Sequence, residues 1–274
     1  MPYLIWKNVR RIKGERMLKS SVWIMGGVVA FILFWWLFGL GVEAIRGIPF
    51  PMPKDVLMRL FLLFQGESIY DTSLFSHFIM SLKRWIIAYF IAVFFGVTLG
   101  MLCGFFKKAY TVGLHVSTVL QMMPGLAWIP FAMILFGIGE RATLFMITMS
   151  VLPPIFIHTA SGVRAIPKQT FLMAKMMNLS SSRIFFMLIL PSISLPLLTG
   201  LRLGLAIGWR VLIAAEMVVG SSVGLGYTII QSRWSLDFEM AFISIGLICM
   251  VGIVVEKWGF GVLEKMVAKR VGNG

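Results

Sequence analysis

Long uncharged stretches constrain this chain more than any other feature of its sequence. Five of them contain no Asp, Glu, Lys or Arg and cover 20–42, 85–106, 109–139, 142–163 and 240–255. A further apolar stretch, over 195–215, is interrupted only by Arg202 and Arg210. A helix that crosses a membrane needs about 20 mostly apolar residues, and unpaired backbone groups are not tolerated in hydrocarbon. The stretches therefore predict an all-α polytopic membrane protein with six transmembrane helices, at about 21–40, 84–106, 115–137, 141–160, 195–216 and 240–258.

Composition and charge exclude a soluble domain. Only 13% of the residues are charged, whereas a soluble domain carries about 25%. The net charge of +14 would suggest nucleic acid in a soluble protein, but here the basic residues cluster in 7–19, 107–108, 164–183 and 257–270. By the positive-inside rule, this distribution predicts that both termini are cytoplasmic. It also predicts membrane lipid as the surroundings and no nucleic-acid partner.

The segments outside these spans carry no catalytic or metal-binding pattern. The N-terminal apolar run is longer than the about 7–15 residues of a signal core, so we interpret it as a retained first helix. In the outside segment 41–83, residues 56–63 are predicted to form a helix on the membrane surface.

Cys103 and Cys249 lie inside predicted spans and are interpreted as core residues. No phosphate-binding loop or nucleophile elbow occurs, so energy for any transport would come from a partner or a gradient.

Two spans carry ridges of small residues at every fourth position. Ala88 and Ala92 lead into Gly96, Gly100 and Gly104 in the second span, and the fifth span carries a second ridge. That second ridge consists of Gly200, Gly204 and Gly208. Small residues at this spacing allow two helices in a membrane to approach closely. The ridges therefore predict tight packing within the bundle or, alternatively, an interface that moves.

Arg202 and Arg210 lie within the fifth predicted span, where a central arginine costs about 2.5–3.5 kcal/mol. Arg202 is near the predicted cytoplasmic end, which favours a side chain that reaches the interface. Arg210 either faces a pathway and attracts an anion, or forms a structural ion pair, for which Glu216 is the candidate. Because the two arginines are about 80° apart on a helix, we do not predict that they form one clamp.

The cytoplasmic segment 161–194 is predicted to contain two short helices. Asn178 tolerates left-handed geometry and ends the first, at 168–177; a serine among 180–182 caps the second, at 183–190. Pro191 and Pro196 are predicted to break the chain before the next span. The first helix exposes five apolar side chains, namely Phe171, Leu172, Met173, Met176 and Met177. Such a surface is covered by a partner, or it folds back on the bundle or the lipid.

This segment resembles the cytoplasmic loop of permease subunits in ATP-binding-cassette importers of the type I, binding-protein-dependent kind. That loop carries a Glu-Ala-Ala stretch, a glycine four residues on, and a Leu-Pro about a dozen residues later. Here Leu172 stands at the position of the glutamate, Met173 and Ala174 at the alanines, Asn178 at the glycine, and Leu190-Pro191 at the end. The loop therefore departs from the family pattern at its most recognisable positions.

Further stretches place the resemblance in the nitrate, sulfonate and taurine branch and extend it over about 75–265. They are Arg84 with Gly96 and Gly100, PGLAWIP at 124–130, FGIG at 136–139, GLR at 200–202, GWR at 208–210, AAE at 214–216, and GLGY at 224–227. The resemblance divides the chain into three parts. These are a tail, first transmembrane helix and extracytoplasmic segment (1–74), the permease domain (75–265) and a cytoplasmic tail (266–274).

The resemblance implies the type I importer permease fold, with six transmembrane helices and a cytoplasmic coupling helix. It implies a non-catalytic homodimer in the bacterial inner membrane, two ATPase subunits that hold ATP and magnesium, and an extracytoplasmic solute-binding protein. The chain itself would hold no cofactor or metal. The candidate ATPase-coupling residues are Lys168, Phe171, Leu172, Ala174, Lys175, Asn178, Leu190 and Pro191. The candidate pathway residues are Met123, Trp128, Trp209, Arg210 and Glu216.

The solute stays open at the level of the sequence. The branch implies a small anion of the sulfonate, taurine or nitrate type, and a thiamine-precursor pyrimidine or an aromatic carboxylate is the alternative. A gradient-driven secondary transporter would be expected to show inverted repeats and carboxylates at the membrane midplane, and the sequence shows neither. A channel or a membrane scaffold is the remaining alternative class.

Overall fold

The computed structural model describes residues 2–220 and 222–255, and these residues are almost entirely helical. The helices are α1 (Pro2–Arg46), α2 (Pro53–Phe64), α3 (Leu74–Phe105), α4 (Lys107–Met122), α5 (Ile129–Phe136), α6 (Glu140–Arg164), α7 (Lys168–Met176), α8 (Ser181–Ile184), α9 (Leu190–Val218), α10 (Leu225–Ser235) and α11 (Phe238–Val254). A hairpin of two short strands, β1 (Ser68–Ile69) and β2 (Thr72–Ser73), connects α2 to α3.

Helix α6 is the centre of the bundle, with α3 on one side and α9 on the other. Met146, Ile147, Val151 and Ile155 of α6 are fully buried. Helix α3 runs parallel to α6, because Gly96 approaches Ile155 and Gly104 approaches Val163. Helix α9 runs antiparallel to α6. An apolar helix can be buried this completely because the flanking helices present glycines.

Both glycine ridges face α6. A Cβ atom on Gly100 would lie 2.8 Å from Cβ of Thr159, and one on Gly104 would lie 2.6 Å from Cβ of Val163. On the other side, a Cβ atom on Gly200 would lie 2.8 Å from Cβ of His158. Such distances do not occur between real side chains, so only glycine fits at these positions. The ridges therefore lie inside the packed bundle of one chain.

The fold class predicted from the sequence is confirmed, but the described residues do not reproduce the count of six spans. Four helical segments are long and apolar enough to cross a membrane: Trp23–Arg46, Leu74–Phe105, Glu140–Arg164 and Ser181–Val218. The predicted sixth span corresponds to α11, a shorter apolar helix, and its predicted end at 258 lies outside the described residues. Helix α1 begins at Pro2, so the described part of the predicted N-terminal tail is helical.

The prediction of one continuous span over 115–137 is wrong. Helix α4 ends at Met122, and after a short 3-10 turn at Gly125–Trp128 the chain continues in α5, bent by 102°. Pro124 is extended, with φ −62° and ψ 143°, and proline supplies no N–H to continue a helix. Gly125 then packs against α9, where a Cβ atom would lie 2.6 Å from Val211. The pair is therefore a broken span or a re-entrant segment.

The predicted breaks at Pro191 and Pro196 are also wrong. Helix α8, a π-helical turn at Phe185–Ile189 and α9 form one continuous segment, Ser181–Val218. Pro191 directly follows the π turn and Pro196 lies within α9, so both prolines are inside the continuous segment. The π turn ends with Leu190 N bonded to Phe185 O, and the Ser192 hydroxyl donates to the Leu188 carbonyl at 2.6 Å. These bonds satisfy backbone groups beside the prolines.

Helix α2 packs one face on α11 and leaves the other face exposed. Val56 and Leu63 are buried in a cluster with Met240 and Ile243, while Phe61 is exposed. The further exposed apolar residues of α2 are Leu57, Met58, Leu62 and Phe64. The region predicted as an amphipathic surface helix is therefore amphipathic, and its buried face is bound to the bundle.

Candidate functional site

A buried ion pair joins α3 to α9 at the end of the bundle opposite α7. Arg84 donates from Nη1 to Oε1 of Glu216 at 2.8 Å, and both side chains are almost fully buried. Nη2 of Arg84 lies 3.2 Å from Oε1 of Glu140, whose side chain is 54% exposed. The Ser81 hydroxyl also donates to the Glu216 carboxylate, at 2.8 and 2.9 Å. Buried charges in this setting are stable only when they are paired and hydrogen-bonded, as these are.

The same cluster holds the glycine-rich segment that follows α9. The backbone N–H of Gly226 donates to Oε2 of Glu216 at 3.0 Å, and that of Leu225 donates to Ser81 Oγ at 2.9 Å. Gly224 has a φ of 154°, and its N–H donates to Nδ1 of His77 at 2.9 Å. A Cβ atom on Gly224 would lie 2.5 Å from the Glu216 carboxylate carbon, so glycine is required there. The charged pair therefore fixes the entry into α10.

The hypothesis that Arg210 pairs with Glu216 is wrong. The Glu216 carboxylate is occupied by Arg84, Ser81 and Gly226, while Arg210 is exposed on another face of α9. Among the described residues, the hydrogen bond of the Arg210 side chain runs from Nε to the carbonyl of Ala206 at 3.2 Å. Sequence reasoning missed Arg84 as the partner, although it is the one basic residue of α3 that directly precedes an apolar run.

Arg210 instead lines an open cavity of about 590 Å³ on the face formed by α9 and α11. Arg202 lines the same cavity, although the two residues are eight positions apart. Arginine side chains are long, and residues of α11 form a wall that both of them reach. The remaining lining residues are Trp85, Leu203, Leu205, Ala206, Trp209, Cys249, Gly252, Ile253 and Val255. The described lining thus contains two guanidinium groups and no carboxylate.

Two tryptophans form the inner wall of this arginine cavity. The rings of Trp85 and Trp209 lie 5.1 Å apart in an edge-to-face arrangement. Trp209 is fixed because its Nε1 donates to the carbonyl of Ile248 in α11 at 3.1 Å. Gly208 makes room for Trp85, since a Cβ atom there would lie 3.1 Å from Trp85 Nε1. Sequence reasoning singled out Trp209 but missed Trp85 and Cys249, which carry no charge or spacing signal.

Arg202 lies at the middle of the bundle rather than near an end of its helix. Tyr89, halfway along α3, donates its hydroxyl to the carbonyl of Leu201 at 3.2 Å. Gly204 packs on Val151 and Ile155 near the centre of α6. The expectation that Arg202 lies near the cytoplasmic end assumed a helix that begins at 195, whereas α9 begins at Leu190.

The other predicted pathway residues do not line the arginine cavity. Trp128 is buried in the core beside the bend between α4 and α5, where its ring packs on Phe145 at 6.0 Å. Met123 is half-buried at that bend. Glu216 belongs to the ion pair. Of the predicted set, the structure therefore brings together only Trp209 and Arg210.

Helix α7 presents an exposed apolar surface at the opposite end of the bundle. Leu172, Met173, Met176 and Met177 are 57–86% exposed. Lys168 and Lys175 are exposed beside them, and Asn178 follows with a φ of 53°. We refer to the side chains of Leu172, Met173, Met176 and Met177 as the α7 surface.

Two residues assigned to coupling face inward instead. Ala174 is buried, and Phe171 is only half-exposed because its ring packs on Phe105 at 6.4 Å. The prediction that Phe171 belongs to the exposed face is therefore wrong. Leu190 and Pro191, assigned to the same function, lie in the first turn of α9.

A bundle of helices that are long and apolar enough to cross a membrane defines a polytopic membrane protein. Residues 96–269 match the family described as binding-protein-dependent transport system inner membrane component, and the chain belongs to that family. The family predicted from the coupling segment is thereby confirmed.

Relatives from bacteria cover nearly the whole chain. It is 28% identical to the taurine transport system permease protein of Escherichia coli, over 90% of each chain. It is 30% identical to the bicarbonate transport system permease protein of Synechococcus elongatus, over 90% of this chain and 89% of that one. A structure of the MetNI methionine ABC transporter, described as inward facing, shares the fold at 17% identity. It has a TM-score of 0.53 and covers 69% of this chain and 95% of that chain.

Proposed function

We propose that this chain is the permease subunit of an ATP-driven importer and that its pathway conducts a small anion of the sulfonate, taurine, nitrate or bicarbonate type. The observation that carries the proposal is the arginine cavity, in which Arg202 and Arg210 lie within a membrane span. The name of the bicarbonate permease supports an anionic solute, and that of the taurine permease supports a solute that carries a sulfonate group, since taurine is a zwitterion with an anionic sulfonate. Residues 75–265 form the permease domain, between the segments 1–74 and 266–274.

The arginine cavity cannot face lipid without a large penalty. Each arginine at the centre of a membrane span costs about 2.5–3.5 kcal/mol on insertion scales, so such residues face protein or water. Both arginines are exposed on the single chain. A second copy of the chain, placed against the face formed by α9 and α11, would enclose the two cavities as a water-filled pathway. The functional unit is therefore a homodimer.

The exposed apolar side chains of the α7 surface suit a contact with an ATPase subunit. Two such subunits supply the energy for import. ATP and magnesium are held by those subunits, and the permease performs no catalysis. Helix α7 lies on the cytoplasmic side, as do both termini, and the Arg84–Glu216 pair lies on the outer side. Lys107, Lys108 and Arg164 belong to the α7 end of the bundle, as the positive-inside rule requires. A solute-binding protein delivers the solute to the outer side.

Uptake measurements test the proposed function. Uptake of labelled taurine, methanesulfonate, nitrate and bicarbonate is measured in cells that carry the gene and in cells from which it has been deleted. We expect the deletion to lower uptake of the transported solute at least tenfold. Depletion of ATP should stop uptake, whereas a protonophore at constant ATP should not. Uptake that follows the proton gradient would identify a secondary transporter, and uptake of a pyrimidine or an aromatic carboxylate instead would contradict the choice of solute.

The α7 surface is tested by Leu172→Asp and Met176→Asp. Each places a charge into the proposed apolar contact, and we expect at least a tenfold loss of ATPase subunit that co-purifies with the permease. Ser182→Asp adds the same charge to an exposed position of α8 and should leave co-purification unchanged. Phe171→Asp is unsuitable, because Phe171 packs on Phe105 inside the bundle. Full ATPase recovery with both aspartate variants would show that this face is not the contact.

A further inference from the structure

We propose that each permease subunit binds one anionic phospholipid of the inner leaflet in an open cavity where the ends of α3 and α6 meet the start of α7. This lipid cavity has a volume of about 330 Å³, and Arg164 and Lys168 are among its lining residues. The lipid phosphate is the ligand of these two side chains. The inference rests on the proposed function only in placing α7 on the cytoplasmic side, and it adds a lipid site that import does not require.

The depth of the lipid cavity in the membrane is the first argument. The spans of α3 and α6 run parallel and end beside each other, as the approach of Gly104 to Val163 shows. The last residue of each span, Phe105 in α3 and Arg164 in α6, lines the cavity. Apolar spans end where the hydrocarbon core meets the headgroup layer. The cavity therefore lies at the depth of the lipid phosphates.

The basic side chains at the lipid cavity are the second argument. Arg164 ends α6, Lys168 begins α7, and both side chains are exposed. Lys107 and Lys108 begin α4 just after Phe105 and are exposed as well. A guanidinium group binds phosphate through paired hydrogen bonds, and an ammonium group adds a compact positive charge. Basic pockets between helices on the cytoplasmic side of a membrane bind the head groups of anionic lipids.

The apolar lining of the lipid cavity is the third argument. The rings of Phe105 and Phe171 pack edge to face with their centroids 6.4 Å apart. Val163 and Ile166 also line the cavity and are buried. Phe105 and the following Phe106 are exposed at the end of a membrane span, so they contact acyl chains. A lipid uses both the charged and the apolar part of this lining, whereas a free phosphate ion uses only the charged part.

The lipid cavity and the α7 surface lie on different sides of α7. Phe171, which lines the cavity, and Met173, which belongs to the α7 surface, are two residues apart and point to nearly opposite sides of the helix. An ATPase subunit on the α7 surface therefore leaves the cavity open to lipid. A phosphate held by Arg164 and Lys168 connects the end of α6 to the start of α7.

Lipid titration of the purified full-length permease, followed by native mass spectrometry, tests the proposal. The protein is delipidated in detergent and titrated with phosphatidylglycerol or with phosphatidylcholine of the same acyl chains. We expect one phosphatidylglycerol per chain to bind at least fivefold more tightly than phosphatidylcholine. Glycerol phosphate at the same concentration should not displace it. Equal affinity for the two lipids, or displacement by the soluble phosphate, would overturn the proposal while leaving the import function intact.

Variants assign the binding to the lipid cavity. The double variant Arg164→Gln, Lys168→Gln is expected to weaken phosphatidylglycerol binding about 10- to 30-fold, because each basic residue near the membrane surface adds to the attraction for an anionic lipid. Arg164→Lys keeps the charge and should retain most of the affinity. Arg183→Gln removes an exposed basic residue of α8 at the same end of the bundle and should bind like the unmodified protein. Unchanged affinity in a double variant that unfolds at the normal temperature would rule out this cavity.

An acidic surface of an ATPase subunit is the competing occupant for the two basic side chains. Co-purification of the ATPase subunit is therefore measured with the same double variant. We expect its recovery to change less than twofold, because the α7 surface is left intact. A tenfold loss of ATPase subunit, with phosphatidylglycerol binding unchanged, would assign Arg164 and Lys168 to the ATPase contact and show that the proposal is wrong.

Discussion

Replacement of Glu216 with alanine is expected to lower the free energy of unfolding by about 3–5 kcal/mol. The substitution leaves Arg84 buried with a positive charge and without its main partner. It also leaves the Ser81 hydroxyl and the N–H of Gly226 without their acceptor. Both are inside the protein, so water does not replace the lost bonds. Thermal unfolding of the purified protein in detergent measures the effect.

Glu140→Ala is the matched control for this prediction. Glu140 contacts the same guanidinium group at 3.2 Å, but its side chain is 54% exposed. Exposed ion pairs contribute about 0–1 kcal/mol, so this variant should unfold nearly as the unmodified protein does. The double variant Arg84→Met, Glu216→Leu removes both charges and should recover a substantial part of the stability, because apolar replacement of buried pairs is often close to neutral. Equal destabilisation by Glu140→Ala and Glu216→Ala would contradict the structure.

Replacement of Gly104 with leucine is expected to cost about 3 kcal/mol or to prevent assembly of the bundle. A Cβ atom at this position would lie 2.6 Å from Cβ of Val163 and 2.9 Å from the carbonyl oxygen of Ala160. The second contact is with backbone, which cannot rotate away, so α3 must separate from α6. We expect a lower yield of monodisperse protein on size-exclusion chromatography and earlier thermal unfolding.

Gly27→Leu controls for the change of side chain in a membrane helix. Gly27 lies in α1, and no atom lies within 4 Å of the position its Cβ would occupy. The added leucine meets no neighbour in the chain, so yield and unfolding should be close to those of the unmodified protein. A Gly104→Leu protein that is as stable as Gly27→Leu would show that α3 and α6 are not packed as closely as described.

Prolines show where sequence reasoning succeeds and where it fails. Pro124 ends a helix, whereas Pro191 and Pro196 lie within a continuous one. The residue is the same, and the missing N–H is the same. The outcome differs because Gly125 lets the bend pack on Val211, while a π turn and the Ser192 hydroxyl satisfy the backbone near Pro191. No local pattern distinguishes these cases, since the deciding contacts come from tertiary structure.

The pairing of charged residues was likewise decided by tertiary contacts that the sequence does not show. Arg84 and Glu216 are separated by 132 positions, so their pairing is not visible in the sequence, and the nearer Arg210 is the wrong partner. Arg202 and Arg210 are about 80° apart on an isolated helix, yet both line one cavity. The cavity exists because long side chains on adjacent sides of the helix meet the wall supplied by α11.

The sequence by itself determined the membrane class, most of the helical spans, the glycine ridges and the family. These follow from local composition and period, because a bilayer demands apolar helices and close helix contacts demand small residues. Only the tertiary structure decided which helix the ridges face, which charges pair, where prolines bend the chain and which residues surround the arginines. These outcomes depend on contacts between residues far apart in the chain, and in hydrocarbon such contacts replace the hydrogen bonds and solvation that water would supply.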